Sequence, residues 1–77
     1  MKTVFLTGAT GTMGFAGMTE LLRYPDRYKV RVLARPSEKN KKLLADYLNR
    51  IEVVWGDLTK YDDVLRGVTG SDMVLHV

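Results

Sequence analysis

The chain has 77 residues, a net charge of +3 and a hydrophobic content of 45%, which bounds it to at most one small soluble-type domain with a modest core. It has no cysteine and one histidine, which excludes a disulfide framework and leaves no ligand set for structural zinc; no metal site is expected. Its longest apolar run is too short to cross a bilayer, and the basic residues form neither a stripe nor a pattern interleaved with aromatics, so neither membrane nor nucleic acid is an expected partner.

The first element is a strand over 3–7, Thr-Val-Phe-Leu-Thr, rich in β-branched and aromatic residues and closed by glycine. With only Met1-Lys2 before it and glycines directly after, it makes a poor signal peptide, and the expected location is cytoplasmic. A helix is predicted over 12–24, with Phe15, Met18, Leu21 and Leu22 on one face, ended by Pro25-Asp26. The second strand runs over 29–35 and is closed by Pro36. Ser37 caps a second helix over 38–48, with Leu44 and Leu48 facing inward; the lysines at 39, 41 and 42 are its solvated side. The third strand is 51–55, Ile-Glu-Val-Val-Trp. Thr59 caps a third helix over 60–68, whose apolar side is Val64, Leu65 and Val68. Gly67 and Gly70 bracket a turn that leads through Ser71-Asp72 into a fourth strand over 73–77. Met13, Met18 and Trp55 read as packing residues, and His76 as a strand residue near the sheet end and not a catalyst.

Strict alternation of strand and helix with short connections implies parallel strands with helices packed on the sheet faces. Right-handed crossovers then give the order 3-2-1-4. In such a sheet ligands sit outside the carboxyl ends of the strands. That is where Gly8, Gly11 and Gly14 stand, between the first strand and the first helix. Gly8 allows the sharp turn, Gly11 lets the backbone approach a pyrophosphate, and Gly14 lets the helix pack close. The helix opening at Thr12 aims free amides and a positive dipole end at the same place. A phosphate-loop hydrolase is excluded, because no Gly-Lys-Ser/Thr follows at the required spacing.

The spacing is Gly-x-x-Gly-x-x-Gly. Thr7-Gly-Ala-Thr-Gly-Thr-Met-Gly14 resembles the cofactor loop of the extended short-chain dehydrogenases, a family of sugar-nucleotide epimerases, dehydratases and related reductases. Gly56-Asp57-Leu58 resembles that family's Gly-Asp-Leu, and Asp72-Met-Val-Leu-His-Val77 resembles its fourth strand. The resemblance spans the whole chain. It implies an α/β, Rossmann-type doubly wound sheet, present as an incomplete half, and a nicotinamide dinucleotide held by Gly8, Thr10, Gly11, Thr12, Met13, Gly14, Arg35, Asp57 and Leu58. Asp57 and Leu58 would sit beside the adenine; Asp57 has the alternative role of capping the next helix. NAD sites commonly place an acid about 20 residues past the glycine loop, but Arg35 stands there. A guanidinium suits a 2′-phosphate, with Ser37 and Lys39 to add a hydroxyl and a charge, so NADP is preferred over NAD. Glu38 is the counter-argument, since it can reach a ribose hydroxyl.

The family's chemistry also needs a Ser or Thr and a Tyr-x-x-x-Lys pair. Four residues beyond Tyr24, Tyr28, Tyr47 and Tyr61 stand Tyr28, Val32, Ile51 and Leu65, so the pair is missing and no catalytic residue is assigned. Residues 1–77 are therefore expected to be the N-terminal, cofactor-binding part of one domain, inactive alone, with Val77 a truncation point; a complete small protein is the alternative. The implied substrate is a small molecule, a nucleotide sugar among the family's classes. The other function class is a non-catalytic NADP sensor, and a Tyr-x-x-x-Lys beyond Val77 would discriminate. An isolated piece with an uncovered fourth strand is expected to pair with a second copy, as a homodimer or larger.

Overall fold

The computed structural model describes residues 1–76. In chain order it contains β1 (Lys2–Thr7), α1 (Thr12–Leu21), β2 (Tyr28–Ala34), α2 (Glu38–Leu44), a single 3-10 turn (Ala45–Tyr47), β3 (Ile51–Trp55), α3 (Tyr61–Val68) and β4 (Met73–His76). The strands form one sheet in the order β3-β2-β1-β4, and every neighbouring pair is parallel. Val77, expected to end the fourth strand, lies outside the described residues.

Side chains alternate across a strand, so β1, β2 and β3 each feed two cores. On one face Leu6, Val30, Val32 and Ala34 pack with Met18 and Leu22 of the first helical segment and Leu44 of α2. On the other, Phe5, Leu33 and Val54 meet Val64 of α3. The sheet is thus covered by α1 and α2 on one side and by α3 on the other, the doubly wound Rossmann-type arrangement that parallel crossovers impose.

Several boundaries differ from the sequence pattern. The first helix stops at Leu21, and residues 22–24 continue in tight turns, with Arg23 and Tyr24 donating to the carbonyls of Glu20 and Leu21. Pro25 disfavours helix in the residue before it, which accounts for the tightening. The second helix is also shorter than expected. Its 3-10 turn rotates the chain so that Tyr47 faces inward and meets Phe15 edge-on, with ring centroids 5.4 Å apart, while Leu48 is exposed.

On α3 one residue of the expected apolar side, Val64, packs inward, while the other two, Leu65 and Val68, are exposed. Gly67 also faces inward, buried inside the helix and not in a turn. A Cβ there would overlap the ring of Phe5, so glycine is what lets α3 lie on a fully buried aromatic. Arg31 fastens the arrangement. Its Nη1 donates to the carbonyls of Gly67 at 2.8 Å and Thr69 at 2.6 Å, and its Nε to Glu52 at 3.0 Å. Gly70 does turn the chain, with φ +78°. Asp72 then pins β4 to β1: its N–H donates to the Thr3 carbonyl at 2.8 Å, and its carboxylate accepts the Thr3 N–H at 2.7 Å. All four residues of β4 are exposed.

Candidate functional site

The carboxyl ends of β1, β2 and β3 open on one edge of the sheet, and a cleft of about 150 Å³ lies there. It is lined by Thr7, Gly8 and Thr10 after β1, by Leu33, Ala34, Arg35 and Asn40 from the end of β2 into α2, and by Gly56 and Leu58 after β3. Four residues expected at the site, Gly8, Thr10, Arg35 and Leu58, line this cleft directly. Gly11, Thr12, Met13 and Gly14 continue from it as the turn into α1, and Asp57 adjoins it through Arg35, whose Nη2 lies 3.9 Å from Asp57 Oδ1.

The three loop glycines have separate physical reasons. Gly8 has φ +79°, a conformation that side chains resist. Gly14 is buried, and a Cβ on it would overlap the carbonyl of Gly8; its closeness is to the loop itself, not to the sheet as expected. Gly11 is different. Its φ is −84°, and a Cβ would meet only Gly8 O at an ordinary 3.5 Å. Neither backbone nor packing demands glycine there, and the residue is exposed.

Gly11 is also the N-cap of α1, with no side-chain cap and no acidic residue in the first turn. Phe15 N–H already bonds the Gly11 carbonyl at 2.8 Å. The N–H groups of Thr12, Met13 and Gly14 precede the helical ladder and have no acceptor among the described residues. An exposed, uncapped, positively polarised helix end beside a residue that leaves room has the chemistry to accept an anion. Met13, expected to pack, is 77% exposed at this end.

Across the cleft Arg35 is 72% exposed on its side chain, so its guanidinium is available. Its carbonyl accepts from Ser37 N–H at 2.8 Å and Asn40 Nδ2 at 3.0 Å. Ser37 caps α2 as expected, accepting from Asn40 N–H at 3.1 Å. Asn40 is a lining residue that sequence reasoning missed, and Gly56, read there only as part of the Gly-Asp-Leu motif, lines the cleft as well. Asn40 looks like any polar residue in the first turn of a helix, and only the fold brings it over the end of β2.

Asp57 is held in an Asx turn: its Oδ1 accepts both the N–H and the hydroxyl of Thr59 at 2.8 Å. Thr59 is therefore spent on Asp57 and does not cap α3; the N-cap is Lys60, without a side-chain bond. The Thr59 hydrogen bonds, then the charges of Arg35 and Lys60, hold the Asp57 carboxyl below the usual carboxylate range. His76, at the end of β4, shares a 2.6 Å hydrogen bond between its Nδ1 and the hydroxyl of Thr7, the buried residue just before Gly8. The bond ties β4, where His76 is expected as a strand residue, to the end of β1, and His76 is exposed. Among the described residues there is no cluster of side chains that could hold a metal ion, and no helix is long and apolar enough to cross a membrane.

Comparison with known proteins shows the family and the fold. The sequence model of the NAD dependent epimerase/dehydratase family matches residues 4–77. Among curated proteins, the chain is 35% identical over 72 residues to the nonribosomal peptide synthetase asaC of Aspergillus flavus, a match covering 91% of the chain and 7% of that protein. It is 34% identical over 76 residues to the ketoreductase sphI of Aspergillus fumigatus, covering 96% of the chain and 22% of that protein. Among solved structures, Pen from Bacillus thuringiensis superimposes with a TM-score of 0.83 at 29% identity, over 99% of this chain and 25% of that one. The chain thus spans a quarter or less of the length of these relatives.

Proposed function

We propose, from the premise that this chain belongs to the NAD dependent epimerase/dehydratase family, that its carboxyl edge holds the adenosine diphosphate half of NADP. The pyrophosphate would lie over Gly11 on the N–H groups of Thr12 and Met13. The adenosine would enter the cleft between Arg35 and Leu58, with Arg35 on the 2′-phosphate and Asp57 beside the adenine. The observation that carries this reading is Gly11: a glycine that the fold does not need, next to backbone donors with no protein acceptor. The cofactor would supply hydride chemistry; this chain's residues would bind and orient it.

The parent activity in this reading is that of an oxidoreductase, epimerase or dehydratase acting on a small molecule in the cytoplasm. The similarity to a ketoreductase supports reduction of a carbonyl among these. The open β4 edge supports a larger sheet, with residues 1–77 as its cofactor-binding part and the catalytic groups on other elements.

Arg35 makes the cofactor choice testable. A guanidinium on a phosphate contributes about 1.5–3 kcal/mol, or roughly tenfold to a hundredfold in affinity. Calorimetry on the full-length protein should show tighter binding of NADP than of NAD, and Arg35→Ala should weaken NADP by at least tenfold while leaving NAD within about twofold. Equal affinities in the wild type, or no loss on substitution, would refute the preference.

A further inference from the structure

The loop between β3 and α3, residues 56–60, carries Leu58 into the cleft and sets Asp57 beside Arg35. Its exposed residues Leu58, Thr59 and Lys60 have no core of their own to fix its shape. Within the loop the Lys60 N–H donates to the Asp57 carbonyl at 3.0 Å, and what ties the loop to α3 is Asp63, in the first turn of that helix, whose side chain is 19% exposed. Asp63 Oδ2 accepts the backbone N–H of Asp57 at 2.8 Å. Its Oδ1 accepts from Arg66 Nη2 at 2.6 Å, and that nitrogen also reaches the carbonyl of Trp55 at 3.4 Å. One acid thus joins the end of β3, the loop and the helix. Gly56 leaves space for it: a Cβ there would stand 2.7 Å from Asp63 Oδ2 and 2.6 Å from its Cγ. With the Asp57 amide fixed by Asp63 and its carboxylate fixed by Thr59, the residue is clamped on both sides.

We infer that Asp63 is a positioning residue for the adenosine side of the dinucleotide site: through the Asp57 amide it sets the loop that presents Asp57 and Leu58, without touching the ligand. This rests on the reading of the carboxyl edge as a dinucleotide site. The competing account is that Asp63 is an ordinary first-turn acid, favoured by the helix dipole. Asp62 separates the two. It is the other acid in the same first turn, is exposed, and makes none of these hydrogen bonds.

The test is calorimetry of NADP and of ADP-ribose on the full-length protein, comparing wild type with Asp63→Ala, Asp63→Asn, Asp62→Ala and Gly56→Ala. Asp63→Ala should weaken both ligands by roughly tenfold or more. Asp63→Asn keeps an oxygen to accept the Asp57 N–H and should recover most of that loss. Asp62→Ala should stay within twofold of wild type. Gly56→Ala, which crowds the Asp63 carboxylate from the other side, should also weaken both ligands, and since Gly56 itself lines the cleft, the contrast of Asp63→Asn with Asp62→Ala serves if Asp63→Ala does not fold. Wild type that binds neither ligand would overturn the site itself. Wild type that binds, with Asp63→Ala or Gly56→Ala folded and equal to it, would overturn the positioning role alone. So would Asp62→Ala as weak as Asp63→Ala, since charge at the helix start would then suffice.

Discussion

Two glycines three residues apart separate folding from binding. At Gly11 the backbone is extended and a Cβ meets only ordinary contact, so Gly11→Ala should change stability by no more than about 1 kcal/mol. It should still lower dinucleotide affinity at least tenfold, because the methyl group occupies the phosphate's approach. At Gly14 a Cβ would overlap the backbone of Gly8, and backbone cannot step aside as a side chain can. Gly14→Ala should therefore cost ~3 kcal/mol or more. Chemical denaturation and calorimetry on both variants check the contrast; a Gly11→Ala protein that binds normally would remove the loop's assigned role. The acids of the neighbouring loop set a pH window. Asp57 is held low first by the Thr59 hydrogen bonds, and Asp63 first by the Asp57 N–H and then by Arg66, with the charges of Arg35 and Lys60 acting on Asp57 and those of Arg66 and Lys60 on Asp63. A carboxyl with a depressed folded-state pKa contributes stability above its unfolded value of about 3.9 and loses it as pH falls through the folded value. Stability from this pair should be complete above about pH 5 and decline only below it. Denaturation midpoints against pH should fall less steeply on the acid side for Asp63→Asn than for wild type; parallel curves would contradict the assignment.

At the scale of elements, α3 shows how a helix can be placed by what it lacks. Its apolar residues Leu65 and Val68 face out while Gly67 faces in, because the ring of Phe5 fills the space between helix and sheet. Arg31 then donates to the Gly67 and Thr69 carbonyls at the end of the helix, satisfying groups that a helix C-terminus leaves bare. Gly67→Ala should destabilise by roughly 1–3 kcal/mol, since Phe5 is fully buried and has nowhere to move. Phe5→Leu should be less harmful in the Gly67→Ala background than in wild type. A double-mutant cycle on unfolding free energies measures this coupling; purely additive effects would mean that the ring and the glycine do not meet.

Over the whole molecule the two edges of the sheet differ. β4 is exposed on both faces, with Met73, Val74 and Leu75 at 43%, 47% and 38%. An apolar edge with unpaired backbone groups is a template for another strand. A polypeptide of residues 1–77 alone should associate with increasing concentration, and Val74→Lys should suppress this by placing a charge on the edge. Analytical ultracentrifugation distinguishes the outcomes: a monomer of 8.7 kDa at all concentrations, or association unchanged by the lysine, would show that the edge is not adhesive.

Strand and helix alternation, the parallel sheet, its order and the place of the glycine loop were legible in the residues themselves, because each rests on local periodicity and on the handedness of short crossovers. The family was legible too, in three motifs that lie in register along the chain. Facts that depend on distant partners were not. That Tyr47 faces in while Leu48 faces out was decided by a 3-10 turn packing Tyr47 on Phe15. That Thr59 serves Asp57 and not the helix, and that Asp63 holds the loop, was decided by where β3 ends against α3. That Gly11 is spared by both backbone and packing, unlike Gly8 and Gly14, can be seen only with the turn built. A side chain's hydrogen-bond partner is chosen among neighbours in space, and residues many positions apart become neighbours only once the sheet has formed.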